Sequence, residues 1–260
     1  MLTATSPVTR AGLDAIALKP AECDVSNAES LDVETIVIDY EGRSHLPEPA
    51  VLESLAETAD LFVTTPVRAD GFDPLGDETL LETLPDDAGR VLVAGHAAYL
   101  TDDERARAVS PRLGAALETD PEAWVGTEGL ERIAMATGAT QFELFSRSTE
   151  RELRSLRRAG FDGRISVYAP AVFTDDADEI LGAIGPYLAR RRPVSSALPE
   201  GARTDASAQG RAREILLEAA DDYALAGPEA DVRERTERLR EAGATTIVGY
   251  PARGLDTVLE

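Results

Sequence analysis

Cysteine, lysine, histidine and long apolar runs are all scarce in this chain. Cys23 is the single cysteine, which excludes an internal disulfide and a cysteine-based metal cluster. His45 and His96 are the two histidines, and no HExxH or CxxC spacing occurs, so we predict no metal site. No stretch approaches the roughly 18–20 apolar residues of a membrane span, and no signal-peptide pattern opens the chain. These absences predict a cytoplasmic protein.

Negative charge dominates the composition. The chain has 48 Asp and Glu against 26 Lys and Arg, a net charge of −22, and Lys19 is its only lysine. Such a chain repels nucleic acid and anionic membranes, so we expect neither as a partner. Many carboxylates with almost no lysine resemble proteins of salt-loving archaea, where concentrated salt screens the repulsion. The charge therefore indicates adaptation to solvent, and 43% hydrophobic residues indicate a folded core.

Two stretches of the chain repeat the same order of features. Residues 156–171 read LRRAGFDGRISVYAPA, and residues 239–254 read LREAGATTIVGYPARG. Each contains a helix end, a glycine suited to a left-handed C-cap (Gly160 and Gly243), a β-branched run and a loop. This order is typical of parallel strands joined by crossover helices.

Short apolar runs alternate with helical patterns along the whole chain, as strands covered on both faces do. The predicted strands are 13–18, 34–39, 61–65, 90–95, 123–127, 140–145, 164–169 and 245–250. Their alternation with helices predicts a (β/α)8 TIM-type barrel, with a doubly wound open sheet as the alternative. We expect a single domain over 1–260, a short first half, and a helical insertion at 174–244 between strands seven and eight. Ser26 and Glu29 form a predicted capping box after the first strand.

In such a barrel, functional side chains follow the carboxyl-terminal ends of the strands. The residues at these positions are Lys19; Asp39, Tyr40, Glu41 and His45; Thr64, Thr65 and Arg68; His96; Thr127 and Glu128; Ser146 and Arg147; Tyr168 and Thr174; and Tyr250 and Arg253.

One of these strand ends has the pattern of a phosphate site. In VGTEGLERIA, residues 125–134, a strand passes through a glycine turn into a helix whose first amides are free to bind an anion. An ordinary βα turn has the same pattern, since glycine is common in such turns. Both interpretations stay open at this point.

Three side chains are further candidates. Arg253, in the loop after the last predicted strand, would pair with an anionic group, or it belongs to a loose terminus. His96 follows the fourth strand in AGHAAYL and would act as a general acid or base, or as a hydrogen-bonded structural group. Lys19, at the end of the first strand, faces the substrate position or is a chance lysine.

Four stretches resemble the bacterial luciferase-like superfamily. They are WVGTEGLERIAMATGA, ISVYAPAVFTDDADEILGAIGPYLARR, YALAGPEADVRERTERLREAGATTIV and, more weakly, VTTPVR. The likeness covers roughly residues 122–250. Members of this superfamily are (β/α)8 oxidoreductases and monooxygenases that use FMN or the deazaflavin coenzyme F-420, and methylenetetrahydromethanopterin reductase is one of them. The resemblance implies a small-molecule substrate and a possible homodimer.

The resemblance also implies a cofactor site. It places Thr127, Glu128, Gly129 and Leu130 at the turn that holds the cofactor phosphate. It places Thr64, Thr65 and Arg68 beside the isoalloxazine ring. With Arg253 as an anion partner and His96 as proton donor, these residues form the predicted active site.

The chain departs from the superfamily on the cofactor side of the barrel. Its first half is shorter, the arginine in VTTPVR falls one place early without a following His-Pro, and GHAAYL replaces a glycine-rich turn. ATQFELF stands where Ala-Asp-Gly is usual. These departures leave a second hypothesis, an inactive barrel that binds a ligand or partner. A third is an unrelated phosphate-binding lyase or isomerase that uses Lys19 or His96.

Overall fold

Eight parallel strands close into a ring in the computed structural model of the protein, which describes residues 6–67, 81–94, 108–126 and 130–259 together with Asp103 and Ala106. The ring strands are β1 Ala15–Leu18, β2 Thr35–Ile38, β3 Asp60–Val67, β4 Gly89–Ala94, β5 Trp124–Gly126, β6 Gln141–Leu144, β7 Ile165–Val172 and β9 Thr246–Pro251. A two-residue strand outside the ring, β8 Leu225–Ala226, pairs with the end of β7. The ring runs in order from β1 to β7, then through β9 back to β1. The predicted (β/α)8 barrel is confirmed.

Helices cover the outside of the ring. They are α1 Pro7–Arg10, α2 Pro49–Thr58, α3 Val109–Thr119, α4 Leu130–Thr137, α5 Thr149–Arg158, α6 Ala177–Ala189, α7 Arg192–Ala197, α8 Gly210–Tyr223, α9 Glu229–Ala242 and α10 Asp256–Leu259. Short 3₁₀ helices span Val25–Ser30, Arg43–His45 and Leu81–Thr83. Within the described ranges, no helix has both the length and the apolar character needed to cross a bilayer.

The first half is short, as predicted, because a 3₁₀ helix replaces an α-helix after β1. The predicted capping box of Ser26 and Glu29 is wrong. Asp24 caps this segment instead, since its Oδ1 accepts from the Ser26 amide at 3.1 Å and from the Ser26 hydroxyl at 2.7 Å. The Ser26 hydroxyl is therefore a donor to the cap residue.

The two glycines predicted to end helices in a left-handed conformation are confirmed. Gly243 follows α9 with φ +125°, and Gly160 follows α5 with φ +91°, a region in which residues with a Cβ are strained. Each glycine turns the chain directly towards the next strand of the ring.

Aromatic side chains fill the inside of the ring. Phe62 and Trp124 have ring centroids 4.1 Å apart, Trp124 and Phe142 are 6.1 Å apart, and Phe142 and Tyr168 are 5.6 Å apart. Ala15 and Ala17 of β1 lie in the same cluster, and small side chains there leave room for the large rings. The row ends at Tyr168, whose hydroxyl reaches Asp39, the residue that follows β2, at the carboxyl-terminal mouth of the ring.

The insertion between β7 and β9 is helical, as predicted. It contains α6, α7, α8 and the two-residue strand β8, which pairs with the end of β7 at Ala171 and Val172. Its helices share an apolar cluster with Val172, and Arg213 of α8 pairs with Asp178 of α6 at 2.7 Å. The predicted eighth strand is therefore β9, while the division into a single domain stays a prediction.

Gly89 provides a test of how tightly the inside of the ring is packed. A Cβ at Gly89 would lie 2.4 Å from the Phe62 ring, so Gly89→Ala is expected to lower the free energy of unfolding by about 1–3 kcal/mol. Gly114→Ala is the matched control: this exposed glycine of α3 has open space around it, and alanine there should stabilise by roughly 0.5–1 kcal/mol. Denaturant unfolding of both variants measures the difference, and equal effects would contradict the packing argument.

Candidate functional site

Four adjacent strands, β7, β9, β1 and β2, bring polar side chains together at the mouth of the ring. We call this group the mouth cluster: Lys19, Glu22, Asp39, Glu41, Tyr168 and Tyr250. Lys19, Glu22, Asp39 and Glu41 lie in the loops after β1 and β2, whereas Tyr168 and Tyr250 lie within β7 and β9. Asp39 and Tyr168 are 129 positions apart in sequence and meet only because the ring closes.

Asp39 and Tyr168 form the most deeply placed pair. The Tyr168 hydroxyl donates to Asp39 Oδ2 over 3.4 Å, which is long for this kind of hydrogen bond. Burial raises the pKa of Asp39 to about 6, with Glu41 and Glu22 also raising it and Lys19 opposing them. A carboxyl group with a pKa near 6 exchanges protons readily at neutral pH, so it suits general acid–base work.

Tyr168 itself stays protonated. Burial, and then the neighbouring Asp39 carboxylate, raises the pKa of the Tyr168 phenol well above its ordinary value. A phenol that keeps its proton is a permanent hydrogen-bond donor to Asp39 and can pass a proton without becoming charged in between. The pair therefore has the composition of a two-residue proton relay.

Lys19 is held between a carboxylate and an aromatic ring. Its Nζ lies 3.3 Å from Glu22 Oε1 and 4.2 Å from the centroid of the Tyr250 ring. The Tyr250 hydroxyl donates to Glu22, and burial followed by that bond raises the pKa of Tyr250. The Ala21 amide donates to Glu41 Oε2 at 3.0 Å, which ties the loop after β1 to the loop after β2.

Thr64 holds the backbone next to Asp39 in place. It lies on β3 on the same face as Phe62, and its hydroxyl accepts from the amide of Tyr40, the residue after Asp39, at 2.7 Å. Thr65 lies on the opposite face of the strand and donates to the carbonyl of Val63 at 3.3 Å. The structure thus places Thr64 beside the loop that follows Asp39, and the cofactor-binding roles of Thr64 and Thr65 both stay predictions.

The other predicted site residues divide between described and undescribed positions. Leu130 begins α4 after β5 ends at Gly126, as the phosphate-turn hypothesis requires. Arg253 pairs with Glu179, the third residue of α6, at 3.0 Å. The remaining predicted residues lie outside the described part of the chain: Arg68, His96, Thr127, Glu128 and Gly129.

The charges at the mouth limit where a flavin-type cofactor would lie. Among the described residues of the β9–β1–β2 sector, the carboxylates of Glu22, Asp39 and Glu41 surround one lysine, so this sector does not fit an anionic phosphate. The start of α4 fits it, since backbone amides at a helix start attract anions. The described residues therefore favour a phosphate position on the β5 side over one beside these carboxylates. Within the described ranges, no three His, Cys, Asp or Glu side chains are arranged to hold a metal ion.

The sequence pattern predicts Asp39, Tyr168 and Tyr250 at strand ends but indicates no role for them. The sequence does contain a pattern that points to both residues: Asp39 follows the apolar run TIVI, and Tyr168 lies within the run ISVYAPAV. A carboxylate and a phenol at the ends of non-consecutive strands become a pair only when the strand order is known.

Comparison with solved structures supports the fold. The chain is similar to an F420-dependent secondary alcohol dehydrogenase in complex with an F420-acetone adduct, with a TM-score of 0.55, 15% identity and 94% of each chain covered. It is also similar to the monooxygenase RslO1 from Streptomyces bottropensis, with a TM-score of 0.51, 13% identity and 91% of each chain covered. At such identities the likeness concerns the barrel fold.

Comparison of the sequence with protein families identifies a family for which no activity is described. The family DUF7388, described as a family of unknown function, matches residues 8–258. No curated protein matches the sequence.

Proposed function

We propose that this chain, which belongs to the family DUF7388, is a luciferase-like oxidoreductase that binds FMN or coenzyme F-420 and oxidises or reduces a small hydroxyl or carbonyl compound. The observation that carries the proposal is the Asp39–Tyr168 pair at the mouth of the barrel. The similarity to an F420-dependent alcohol dehydrogenase and to a monooxygenase supports the same class of chemistry.

The cofactor would lie with its phosphate at the start of α4. There we propose that the backbone amides of Thr127–Leu130 hold the phosphate, while Thr64, Thr65 and Arg68 lie beside the ring. When bound, a reduced cofactor of this type supplies a hydride, and an oxidised one accepts it. The aromatic row below the mouth, from Phe62 to Tyr168, excludes water from beneath the site.

Asp39 and Tyr168 would manage the proton that accompanies the hydride. During oxidation of an alcohol, the Tyr168 hydroxyl takes the proton of the substrate hydroxyl. At the same time it passes its own proton to the Asp39 carboxylate. During reduction of a carbonyl, the same proton returns from protonated Asp39 through Tyr168 to the new alcohol oxygen. In both directions the proton count balances, and the phenol is neutral before and after.

Two further roles remain proposals. We propose that His96 is a second proton donor, from the β4 side of the mouth. We propose that Arg253 pairs with an anionic group, for which it would have to leave Glu179, since the two side chains now form an ion pair at 3.0 Å. A homodimer is also proposed.

A ligand-binding barrel without turnover is the alternative. The short first half and the carboxylates of Glu22 and Glu41 at the mouth favour it, because both reduce the room and the attraction for an anionic cofactor. In this alternative the barrel would bind a small ligand or a partner at the same mouth.

Cofactor titration separates the two functions. The protein is purified in high salt, and FMN and F-420 are added separately while absorbance and fluorescence quenching are recorded. Saturable binding at micromolar concentration of either cofactor is the expected result. If neither cofactor binds, the oxidoreductase proposal is overturned and the ligand-binding barrel is favoured.

A further inference from the structure

Three consecutive arginines at the junction of α6 and α7 have no carboxylate partner among the residues that the structure describes. Most other arginines that the structure describes bind a carboxylate or a backbone carbonyl, as Arg213 and Arg157 do. Within the described residues, Arg190, Arg191 and Arg192 form no ion pair at all. In a chain with 48 acidic and 26 basic side chains, these three neighbouring cations form a local positive patch that attracts anions.

Arg191 is held in a fixed orientation between two aromatic rings. Its guanidinium carbon lies 4.5 Å from the centroid of Tyr187 on α6 and 5.5 Å from that of Tyr223 on α8. Its Nη2 donates to the Tyr187 hydroxyl, while its Nε is buried and has no acceptor among the described residues. The two rings therefore fix the plane of the Arg191 guanidinium.

The arginine lies on the mouth side of the barrel. Tyr187, which contacts Arg191, packs against the apolar cluster that contains Val172, at the end of β7, as does Ala252, just after β9. The strand β8 of the same insertion pairs with the carboxyl-terminal end of β7. The mouth is thus polarised, with carboxylates on the β1–β2 side and arginines on the insertion side.

We propose that Arg191, flanked by Arg190 and Arg192, binds a phosphate or carboxylate group of the substrate. This inference rests on the proposed function, because the hydroxyl or carbonyl of the same substrate would reach Asp39 and Tyr168. The planar guanidinium presents paired N–H donors that match the two oxygens of a carboxylate or phosphate. The substrate class is therefore an anionic hydroxy or keto compound.

Inorganic phosphate is the probe for this site. Calorimetric titration at constant ionic strength, balanced with chloride, should show saturable binding to the intact protein. Arg191→Gln should weaken it about tenfold or more, because a charged hydrogen-bond donor is removed. The double variant Arg190→Gln/Arg192→Gln changes two exposed side chains that the fold does not need, and it should weaken binding by about two- to fivefold. If Arg191→Gln fails to fold, the double variant still tests whether the arginines bind phosphate.

Arg158→Gln is the matched control. Arg158 is an exposed arginine of α5 with no ion pair within the described ranges, so its loss should leave phosphate binding unchanged. An equal loss in Arg158→Gln would show general charge screening and overturn the site, as would the absence of saturable binding. If Arg191→Gln weakens FMN but not riboflavin, the anion is the cofactor phosphate and the assignment to substrate is overturned.

The two proposals fail separately. Phosphate binding that depends on Arg191 in a protein that binds neither FMN nor F-420 would support the anion site and overturn the oxidoreductase. Asp39→Asn should retain the phosphate affinity of the intact protein, since Asp39 belongs to the relay and not to the arginine group.

Discussion

Asp39→Asn is expected to lower the rate of hydride transfer by about 10²–10⁴-fold, because asparagine can neither take up nor release the substrate proton. In the intact protein, the rate of alcohol oxidation should rise with pH around 6, where Asp39 becomes ionised and able to accept a proton. Carbonyl reduction should show the opposite dependence and fall above the same pH. Steady-state kcat/KM over a pH series, in both directions, measures this.

The same variant should be more stable than the intact protein at neutral pH. The pKa of Asp39 is about 6 in the folded protein, against 3.8 for an unperturbed aspartate, so the folded state holds a proton that the unfolded state releases. The Asp39 carboxyl therefore lowers the free energy of unfolding as pH rises from 3.8 through 6. At pH 8 the full loss is about 1–3 kcal/mol. Asp39→Asn removes this cost at pH 8 and makes little difference below pH 3.8. Thermal unfolding at both pH values measures it without any cofactor.

Asp60→Asn is the matched control for both effects. Asp60 is an exposed carboxylate at the opening of β3, at the opposite end of the barrel from the mouth. Its replacement should change neither the pH profile nor the pH dependence of stability.

Tyr168→Phe should lower the rate as well, since it removes the phenol that links the substrate to Asp39. A pH profile that Asp39→Asn leaves unchanged would contradict the relay.

Much of the fold follows from local sequence. Each strand of the ring overlaps its predicted position, with ends that differ by at most three residues, because each is a short, largely apolar run. The order of the strands follows from the alternation with helices. The two-residue strand β8 was missed, since two residues have no periodicity, and the cap at Asp24 was missed because Ser26 fits the capping pattern equally well.

Less of the candidate site follows from local sequence. The strand-end rule places Asp39, Tyr168 and Lys19 near one another, but it cannot select them from the other strand-end residues. What selects them is geometry: the ring closes β7 and β9 against β1, and the aromatic row brings the Tyr168 hydroxyl up to Asp39. The phosphate turn and His96 were predicted from motifs and lie outside the described residues, so those roles stay predictions.

The repeated phrase in the sequence has a structural explanation at the opposite end of the barrel. Arg157 follows Leu156 in the first copy, and its Nε and Nη2 donate to the carbonyl of Gly243, just before β9, at 3.1 and 2.7 Å. Arg240 follows Leu239 in the second copy, and its Nη2 donates to the carbonyl of Gly12, just before β1, at 2.7 Å. Each copy thus fastens its helix to the start of the next strand around the ring.

Arg157→Met is therefore expected to lower the free energy of unfolding by about 3–5 kcal/mol. Besides Gly243, the Arg157 Nη1 donates to the carbonyls of Phe161 and Gly163, both at 2.7 Å, so one side chain satisfies three backbone acceptors. Charged hydrogen bonds contribute about 1.5–3 kcal/mol each without adding fully, and methionine keeps the apolar stem while leaving the acceptors unpaired.

Arg157→Lys should recover little, since one ammonium cannot span three carbonyls. Arg158→Met, next to it and exposed, should change stability by less than about 0.5 kcal/mol in the same denaturant titration. Equal losses in the two methionine variants would mean that the loss of an arginine on α5, rather than the fastening of Gly243, controls stability.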